Sequence, residues 1–464
     1  MIATKAESRV PEATSVGTSW PGGPEVEVLH FGVGEQPAIP DYGPVESACG
    51  GPPRPAELHG LGSDDGGSMW VVTLPWSSSG EAVVTDDSII YVVGSNWELA
   101  ASVISIDFEG RPRWQSSMTW QPVGNPLVVG DMLVLPVEPT NDQGDIPGGV
   151  VALDRSDGQL VWAAPLAGAP VRRPPGLVAS AHLVMAADYS GHVTAIDLTS
   201  GAEAWQVTIG GDLNRPPRLV GDTLFVAARS SLLAVEAATG SIQWTSEPPD
   251  PGSLIDEVIG ASDGTVLAVA ENASTMEDGD RFLVAGFEIG DGAQLWETEV
   301  SEWAVVAADV LVTADRDPQR EDGSPARPIR AWSASTGDAL WGIEERLLIR
   351  SLAWDGAYLF LATPSMNGRT GAIGAFDAGT GATAWMAAVD GTVTASPLVV
   401  PGQVIAPSRG PRVEGKSTGI VTSLDRTSGV TLWTRSLDLA IRGTPAMADD
   451  VVVVLAADEP IGCI

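Results

Sequence analysis

Lysine is nearly missing from this chain. Only Lys5 and Lys416 occur in 464 residues, and 25 bases face 60 acids for a formal charge of −35. A surface of that sign repels phosphate backbones and anionic headgroups, which argues against nucleic-acid binding and against membrane-surface association. Cysteine is equally scarce: Cys49 and Cys463 are the only two, and the four histidines (His30, His59, His182 and His192) are dispersed. No metal-ligand spacing is legible in that set. No apolar run approaches the ~18 residues of a membrane span, so no membrane insertion is predicted. The first residues lack the basic stretch and apolar run of an export signal. Val45-Glu46-Ser47-Ala48-Cys49 fails as a lipoprotein cleavage site, because Glu46 stands where an apolar residue is wanted. Phosphate loops, dinucleotide fingerprints and His-based nucleophile arrangements are also missing, which disfavours several catalytic classes.

What the chain does have is a repeat. An aliphatic or aromatic residue is followed, usually, by an acid, then a turn with glycine, then a tryptophan four residues beyond the glycine. The copies are Ile106-Asp107…Gly110…Trp114, Leu153-Asp154…Gly158…Trp162, Ile196-Asp197…Gly201…Trp205 and Val235-Glu236…Gly240…Trp244. They continue as Phe287-Glu288…Gly292…Trp296, Trp332-Ser333…Gly337…Trp341, Phe376-Asp377…Gly381…Trp385 and Leu424-Asp425…Gly429…Trp433. Successive tryptophans are 48, 43, 39, 52, 45, 44 and 48 residues apart. A period of that size marks one supersecondary unit, which cannot bury its apolar face without a neighbour.

The third copy shows the internal grammar. Gly176-Leu177-Val178-Ala179, His182-Leu183-Val184-Met185-Ala186, Val193-Thr194-Ala195-Ile196 and Ala204-Trp205-Gln206-Val207 are four short apolar or alternating runs separated by turn residues. That pattern predicts an antiparallel meander, and no segment sustains a helical period, so the fold is expected to be all-β. Asp197 is placed to accept bonds from N–H groups of its own turn, and Gly201 to supply a positive φ. Trp205 falls on the fourth, outer strand, where its ring can cover the joint with a neighbouring sheet. Residues 1–67 are rich in Pro, Gly, Ser and Glu without sustained alternation, so they are expected to be an irregular extension. The repeat domain is expected over 68–464.

The segments Ala152-Leu153-Asp154…Gly158…Trp162 and Ala195-Ile196-Asp197…Gly201…Trp205 resemble the tryptophan-docking repeat of pyrroloquinoline-quinone (PQQ)-type β-propellers. That group holds both quinoprotein dehydrogenases and non-catalytic BamB-like scaffold proteins. The resemblance covers about 70–464 and implies a ring of four-stranded antiparallel blades. Trp70-Val71-Val72-Thr73-Leu74 reads as an isolated fourth strand, and Pro445–Ala448 with Val451–Leu455 as first and second strands. Pairing the two ends would close the ring by a split blade. Counted literally this makes nine blades; the family usually has eight, and eight is the favoured expectation.

In such a blade the second-to-third-strand loops share a face with the blade-to-blade connections. The long insertions all fall there: Glu138–Gly148, Glu271–Asp280, Asp315–Arg327, Pro364–Thr370 and Ser408–Gly419. Their common placement marks that face as the expected binding surface, against the alternative of simple tolerance for longer loops. They carry Asp142, Asp145, Glu277, Asp278, Asp280, Asp315, Asp317, Glu321 and Asp322. Glu277-Asp278-Gly279-Asp280 is the best local calcium candidate but lacks the full calcium-loop pattern, so a solvated acidic loop is expected instead.

The dehydrogenases of this group often carry an adjacent cysteine pair, a stacking tryptophan and calcium ligands near the funnel. This chain has no adjacent cysteines and no matching ligand set, and Trp303, Trp332 and Trp354 read as strand packing. The expectation is therefore a non-catalytic module that binds a protein or extended ligand. A PQQ-dependent oxidoreductase or its relic, and a tethered small-ligand sensor, stand as alternatives. No cofactor is expected, with PQQ and calcium left open. Cys49 and Cys463 have two open readings, independent thiols or a disulfide joining the ends of the ring; the latter favours an extracytoplasmic location.

Overall fold

The computed structural model describes residues 14–16, 26–30, 56–74, 82–93, 101–139, 148–171, 176–210, 213, 215–250, 252–272, 281–300, 303–307, 309–314, 327–347, 351–363, 370–413 and 416–457. Every regular element among them is a β-strand. The strands form nine antiparallel sheets built on a four-strand plan, one per repeat plus one at the join of the chain ends. Blade 3 is the plainest: Leu177–Ala179, Leu183–Ala187, His192–Asp197 and Glu203–Thr208 lie side by side in chain order.

Burial follows position within the blade. The second and third strands are buried on both faces, and Leu183–Ala187 and His192–Asp197 accordingly read as nearly continuous apolar runs. The fourth strand, Glu203–Thr208, alternates between half-buried and exposed residues, because only its inward face meets another blade. The core is thus a series of clusters between consecutive blades. Val134, Val150, Ala152 and Trp162 of blade 2 pack on Leu177, Val184, Ala186 and Ile196 of blade 3.

The ring closes through a ninth, split blade. Ala440–Ala448 and Val451–Ala457 come from the C-terminal end, Ala56–Gly62 and Ser68–Leu74 from the N-terminal end. Ala56 to Gly62 pair in unbroken register with Ala457 to Val451. The literal count of nine is the one the chain builds, in place of the favoured eight, because Trp70–Leu74 has a full complement of partners within the ring.

Within 1–67 the described residues 14–16, 26–30 and 56–62 are strands. Ala56–Gly62 is the third strand of blade 9, so the ring begins upstream of residue 68. Val26–His30 also pairs with the outer strand of blade 1, Pro112–Met118, and Thr14–Val16 pairs with it in turn. Val26 and Val28 are buried with Trp114, Met118 and Trp120 at the joint of blades 1 and 2. Two valines at alternating positions suffice for this, a signal too short to stand out in a Pro/Gly-rich stretch.

Candidate functional site

The two faces of the ring differ in construction. On one face the repeat motif locks each blade to the next. In blade 3 the Asp197 carboxylate accepts bonds from the N–H groups of Thr199 (3.1 Å) and Ser200 (2.8 Å) and from the Ser200 hydroxyl (2.7 Å). The Gly201 N–H donates to the Asp197 carbonyl at 2.9 Å. Asp154, Asp377 and Asp425 close their turns in the same way. Hydroxyl and amide donors hold the carboxyls of Asp197, Asp377 and Asp425 low: the Ser200 hydroxyl leads for Asp197, the Thr380 hydroxyl for Asp377, and the Ser428 hydroxyl lowers Asp425 to about 2.

The tryptophan reaches out of its own blade. Trp114, Trp162, Trp205, Trp244, Trp296, Trp341, Trp385 and Trp433 each donate an indole N–H to a carbonyl in the turn of the following blade, at 2.7 to 3.2 Å. Each ring lies flat on that turn's glycine. A Cβ added at Gly158, Gly201, Gly240, Gly292, Gly337, Gly381 or Gly429 would sit 2.5 to 2.7 Å from the ring of the preceding blade. The motif glycine therefore meets two demands, a positive φ of 68° to 76° and a bare surface for the indole. The first demand was legible in the sequence; the second joins residues about a whole period apart.

A ninth lock was missed. Trp433 covers Gly66 and bonds the Ser63 carbonyl, and Trp70, four residues beyond Gly66, covers Gly110 and bonds the Phe108 carbonyl at 2.8 Å. Gly66 and Trp70 are a ninth copy of the motif. Gly62 stands where the acid would be, although the Gly66 N–H still donates to the Gly62 carbonyl at 2.9 Å. The Gly-to-Trp spacing alone would have found it.

The opposite face carries the second-to-third-strand loops, the blade connections, and the points at which both chain ends leave blade 9. In blade 3 this side is tightly tied. Asp188, 1% exposed, accepts from the N–H groups of Gly168, Ser190 and His192 at 2.9 to 3.1 Å, and its Oδ1 lies 3.2 Å from His192 Nδ1. Gly168 belongs to the incoming connection, so this carboxylate fastens that connection to the loop; every described contact of Asp188 is structural.

In blade 8 the expected Ser408–Gly419 loop is instead an extension of the sheet. Gln403–Val413 and Lys416–Asp425 run as one long hairpin, with Arg409 opposite Gly419, Arg412 opposite Ser417 and Val413 opposite Lys416. Its root is gripped from both sides. Thr392–Val393 pairs with Arg409 and Ser408, and the Ser408 hydroxyl donates to the Asp390 carbonyl at 2.6 Å. A Cβ at Gly419 would meet the Leu439 carbonyl at 2.7 Å, so glycine is required for close approach there. Farther out, the Thr418 hydroxyl donates to the Pro411 carbonyl at 2.7 Å across the hairpin.

The other insertions fall largely or wholly outside the described residues. Asp142, Asp145, Glu277, Asp278, Asp280, Asp315, Asp317, Glu321 and Asp322 lie there, as do Cys49 and Cys463. Among the described residues no three His, Cys, Asp or Glu side chains converge as a metal site, and no helix is long and apolar enough to cross a membrane. Trp332 donates to the Thr313 hydroxyl at 3.1 Å within blade 6, as strand packing requires. Trp354 departs from the expectation, being 38% exposed at the end of the innermost strand of blade 7.

At the seam, His59 lies between blades 8 and 9, with Nε2 3.0 Å from a Glu57 carboxylate oxygen. Burial disfavours its charged form and lowers its pKa, outweighing the attraction of Glu57; Arg435 adds to the lowering, and Asp438 opposes it.

The family model of the outer membrane protein assembly factor BamB matches residues 55–254, 147–322 and 325–461. No curated protein matches the chain in sequence. Among solved structures, BamB from Moraxella catarrhalis is similar at 18% identity and a TM-score of 0.50, over 82% of this chain and 97% of that one. A europium-containing methanol dehydrogenase has 13% identity and a TM-score of 0.46, over 71% and 81%. Quinohemoprotein alcohol dehydrogenase ADHIIG from Pseudomonas putida HK5 has 11% and 0.46, over 82% and 76%. At these identities the structural likeness concerns the fold.

Proposed function

Because the chain belongs to the family of outer membrane protein assembly factor BamB, we propose that it is a non-catalytic scaffold that binds a protein or extended ligand through its loop-bearing face. The observation that carries this reading is the asymmetry of the two faces. One is given over to nine tryptophan locks and their closed turns, which fix the ring. The other receives the long insertions, and where it is described its loops are held by bonds from the sheet, as at Asp188 and Ser408. A preordered surface loses little conformational entropy on binding.

Family membership supports the class of role and leaves the partner open, since the fold itself hosts unrelated functions. The two cysteines, 414 positions apart (463 minus 49), offer no adjacent pair of the kind many quinoprotein dehydrogenases carry.

The test is partner capture with the full chain and with variants whose loops at 140–147, 273–280 and 315–326 are shortened to tight turns. One stable partner, retained by the full chain and lost from the shortened variants, is expected. A stoichiometric adduct in native mass spectra with added PQQ and calcium, together with dye reduction by alcohols or sugars, would replace the scaffold by the oxidoreductase reading.

A further inference from the structure

We propose that the outer edge of blade 1 is an acceptor site for an extended segment of a partner protein, and that residues 26–30 occupy it in cis. The site lies on the perimeter of the ring and does not depend on the loop-face reading. Among the described residues eight blades end at their fourth strand, whereas blade 1 continues through Val26–His30 and then Thr14–Val16. Val26 lies opposite Met118, Val28 opposite Ser116 and His30 opposite Trp114, in antiparallel register.

The ring is complete without these residues. Blade 1 is fastened to blade 2 by its own outer strand: the Trp114 indole donates to the Arg155 carbonyl at 3.0 Å, and the Ser116 hydroxyl to the Gly158 carbonyl at 2.6 Å. Trp120, in the connection between the two blades, is held by the pairing of Trp120–Pro122 with Val137–Pro139. These bonds fix the walls of the pocket that the added strand fills. Val26 and Val28 are 1% and 0% exposed in it, clustered with Trp114, Met118 and Trp120. Leu29 is half-buried and His30 exposed. Eight outer edges carry no further described strand, so an edge as such needs no cover in this fold. What the strand adds at blade 1 is cover for that pocket.

The pocket also specifies its ligand. Main-chain bonds to a sheet edge give an added strand its affinity, and pockets for alternate side chains give its specificity. Here the pocket accepts two β-branched apolar residues two positions apart. A second copy of the chain is a poor donor of that strand. The segment in cis is joined to blade 9 by about 25 residues, a tether that sets an effective concentration on the order of mM, and an identical strand from another copy loses to it. A partner strand has room for a longer pairing, because Val26–His30 spans only 114–118 of an outer strand that begins at Pro112.

The experiment uses the full chain and its V26D/V28D variant, which expels the strand in cis and leaves every wall of the pocket unaltered. V26T/V28T, isosteric at both positions, makes the same comparison if circular dichroism shows that the aspartates disturb folding. The probe is a fluorescein-labelled peptide of residues 24–32, compared by anisotropy with a counterpart carrying serine in place of both valines. The variant is expected to bind the peptide at least tenfold more tightly than the wild type does, and at least tenfold more tightly than it binds the serine counterpart. Bound peptide should slow amide exchange in 112–118. In the wild type alone, 26–30 should exchange at least a hundredfold faster than the neighbouring Ala101–Ile106 strand, because its opening is local. No binding to the variant up to ~1 mM, equal binding by variant and wild type, or protection elsewhere in the ring overturns the proposal. Exchange of 26–30 at the rate of Ala101–Ile106 also overturns it, by making the strand a fixed part of blade 1. So does a wild-type dimer that the variant abolishes, which assigns the edge to strand exchange between copies.

Discussion

The tryptophan lock makes a quantitative claim that a mutant cycle in blade 4 can test. Two glycines there have positive φ: Gly221 at +58° with nothing within 4 Å of an added Cβ, and Gly240 at +74° with the Trp205 ring 2.7 Å away. Gly221→Ala should incur only the backbone term, roughly 1–2 kcal/mol for an L-residue in the left-handed region. Gly240→Ala incurs the same term and also lifts the indole. A buried Trp covers about 150–250 Å², and exposing half of it at ~25 cal/mol/Å² adds roughly 2–3 kcal/mol. The expected totals are ~1–2 kcal/mol for Gly221→Ala and ~3–5 kcal/mol for Gly240→Ala. Trp205→Ala should cost roughly 3–5 kcal/mol through the unfilled joint. Once the ring is gone, Gly240→Ala should fall back to its backbone term, leaving a coupling of about 2–3 kcal/mol in the double mutant. Urea unfolding at matched m-value measures all four variants, and amide exchange in the 236–242 turn detects local opening. Equal costs at Gly221 and Gly240, or strict additivity of Trp205→Ala and Gly240→Ala, would refute the lock.

Three further outcomes follow from the seam and the ends. Removing residues 1–55 should leave the ring closed but uncover Trp114 at the edge of blade 1, a red shift in fluorescence with modest loss of stability; removing 1–67 deletes a strand of blade 9 and should abolish cooperative unfolding. His59 has a native pKa below its ordinary 6.5, so the unfolded state takes up the proton first; stability should fall as pH drops below about 6.5 and level off once the native group titrates. His59→Gln should flatten that slope in urea midpoints, and an unchanged slope assigns it to other groups. Cys49 lies seven residues before Ala56 and Cys463 six after Ala457, and those two alanines are register partners. Non-reducing peptide mapping of oxidised protein should therefore find Cys49 joined to Cys463, and two free thiols there would remove the link.

The sequence disclosed whatever is repeated and local. Asp197 accepts the turn amides expected of it, and Gly201 has the positive φ its place demanded. The target of Trp205 was not legible: the Ala237 carbonyl and Gly240 lie in the next period, and only the ring brings them together. Blade 9 was half visible for a related reason. Ala56–Gly62 reads as Ala-Glu-Leu-His-Gly-Leu-Gly, interrupted by two glycines and a histidine; at the place of Gly60 most other third strands have Ala or Ser, and blade 5 has Gly286. Gly60 is explained by Trp70, whose indole lies across it and leaves no room for a Cβ. His59 is buried by the blade on its other side. Each oddity is a contact with a distant residue, which local propensity cannot register. The blade 8 hairpin was located correctly as an insertion but read as a loop, because Gly410 and Pro411 interrupt its alternation. The bulge between Arg409 and Arg412 absorbs both residues without ending the sheet.

The division between the faces also bears on how this fold accommodates change. The lock joins an outer strand to the next blade's turn and uses no atom of the loop face. Lengthening a second-to-third-strand loop therefore leaves every lock intact, and the added closure entropy grows only slowly with length. Copies in this chain span that range, from the tight turn between Ala228 and Ser231 to the sheet-like projection ending at Val413. A substitution at the motif glycine has no such freedom, since backbone conformation and indole contact fail together. The residues that fix the ring and the loops that vary in length thus lie on opposite sides of it. Change in the length or charge of the loop face therefore leaves untouched the contacts that hold the blades together.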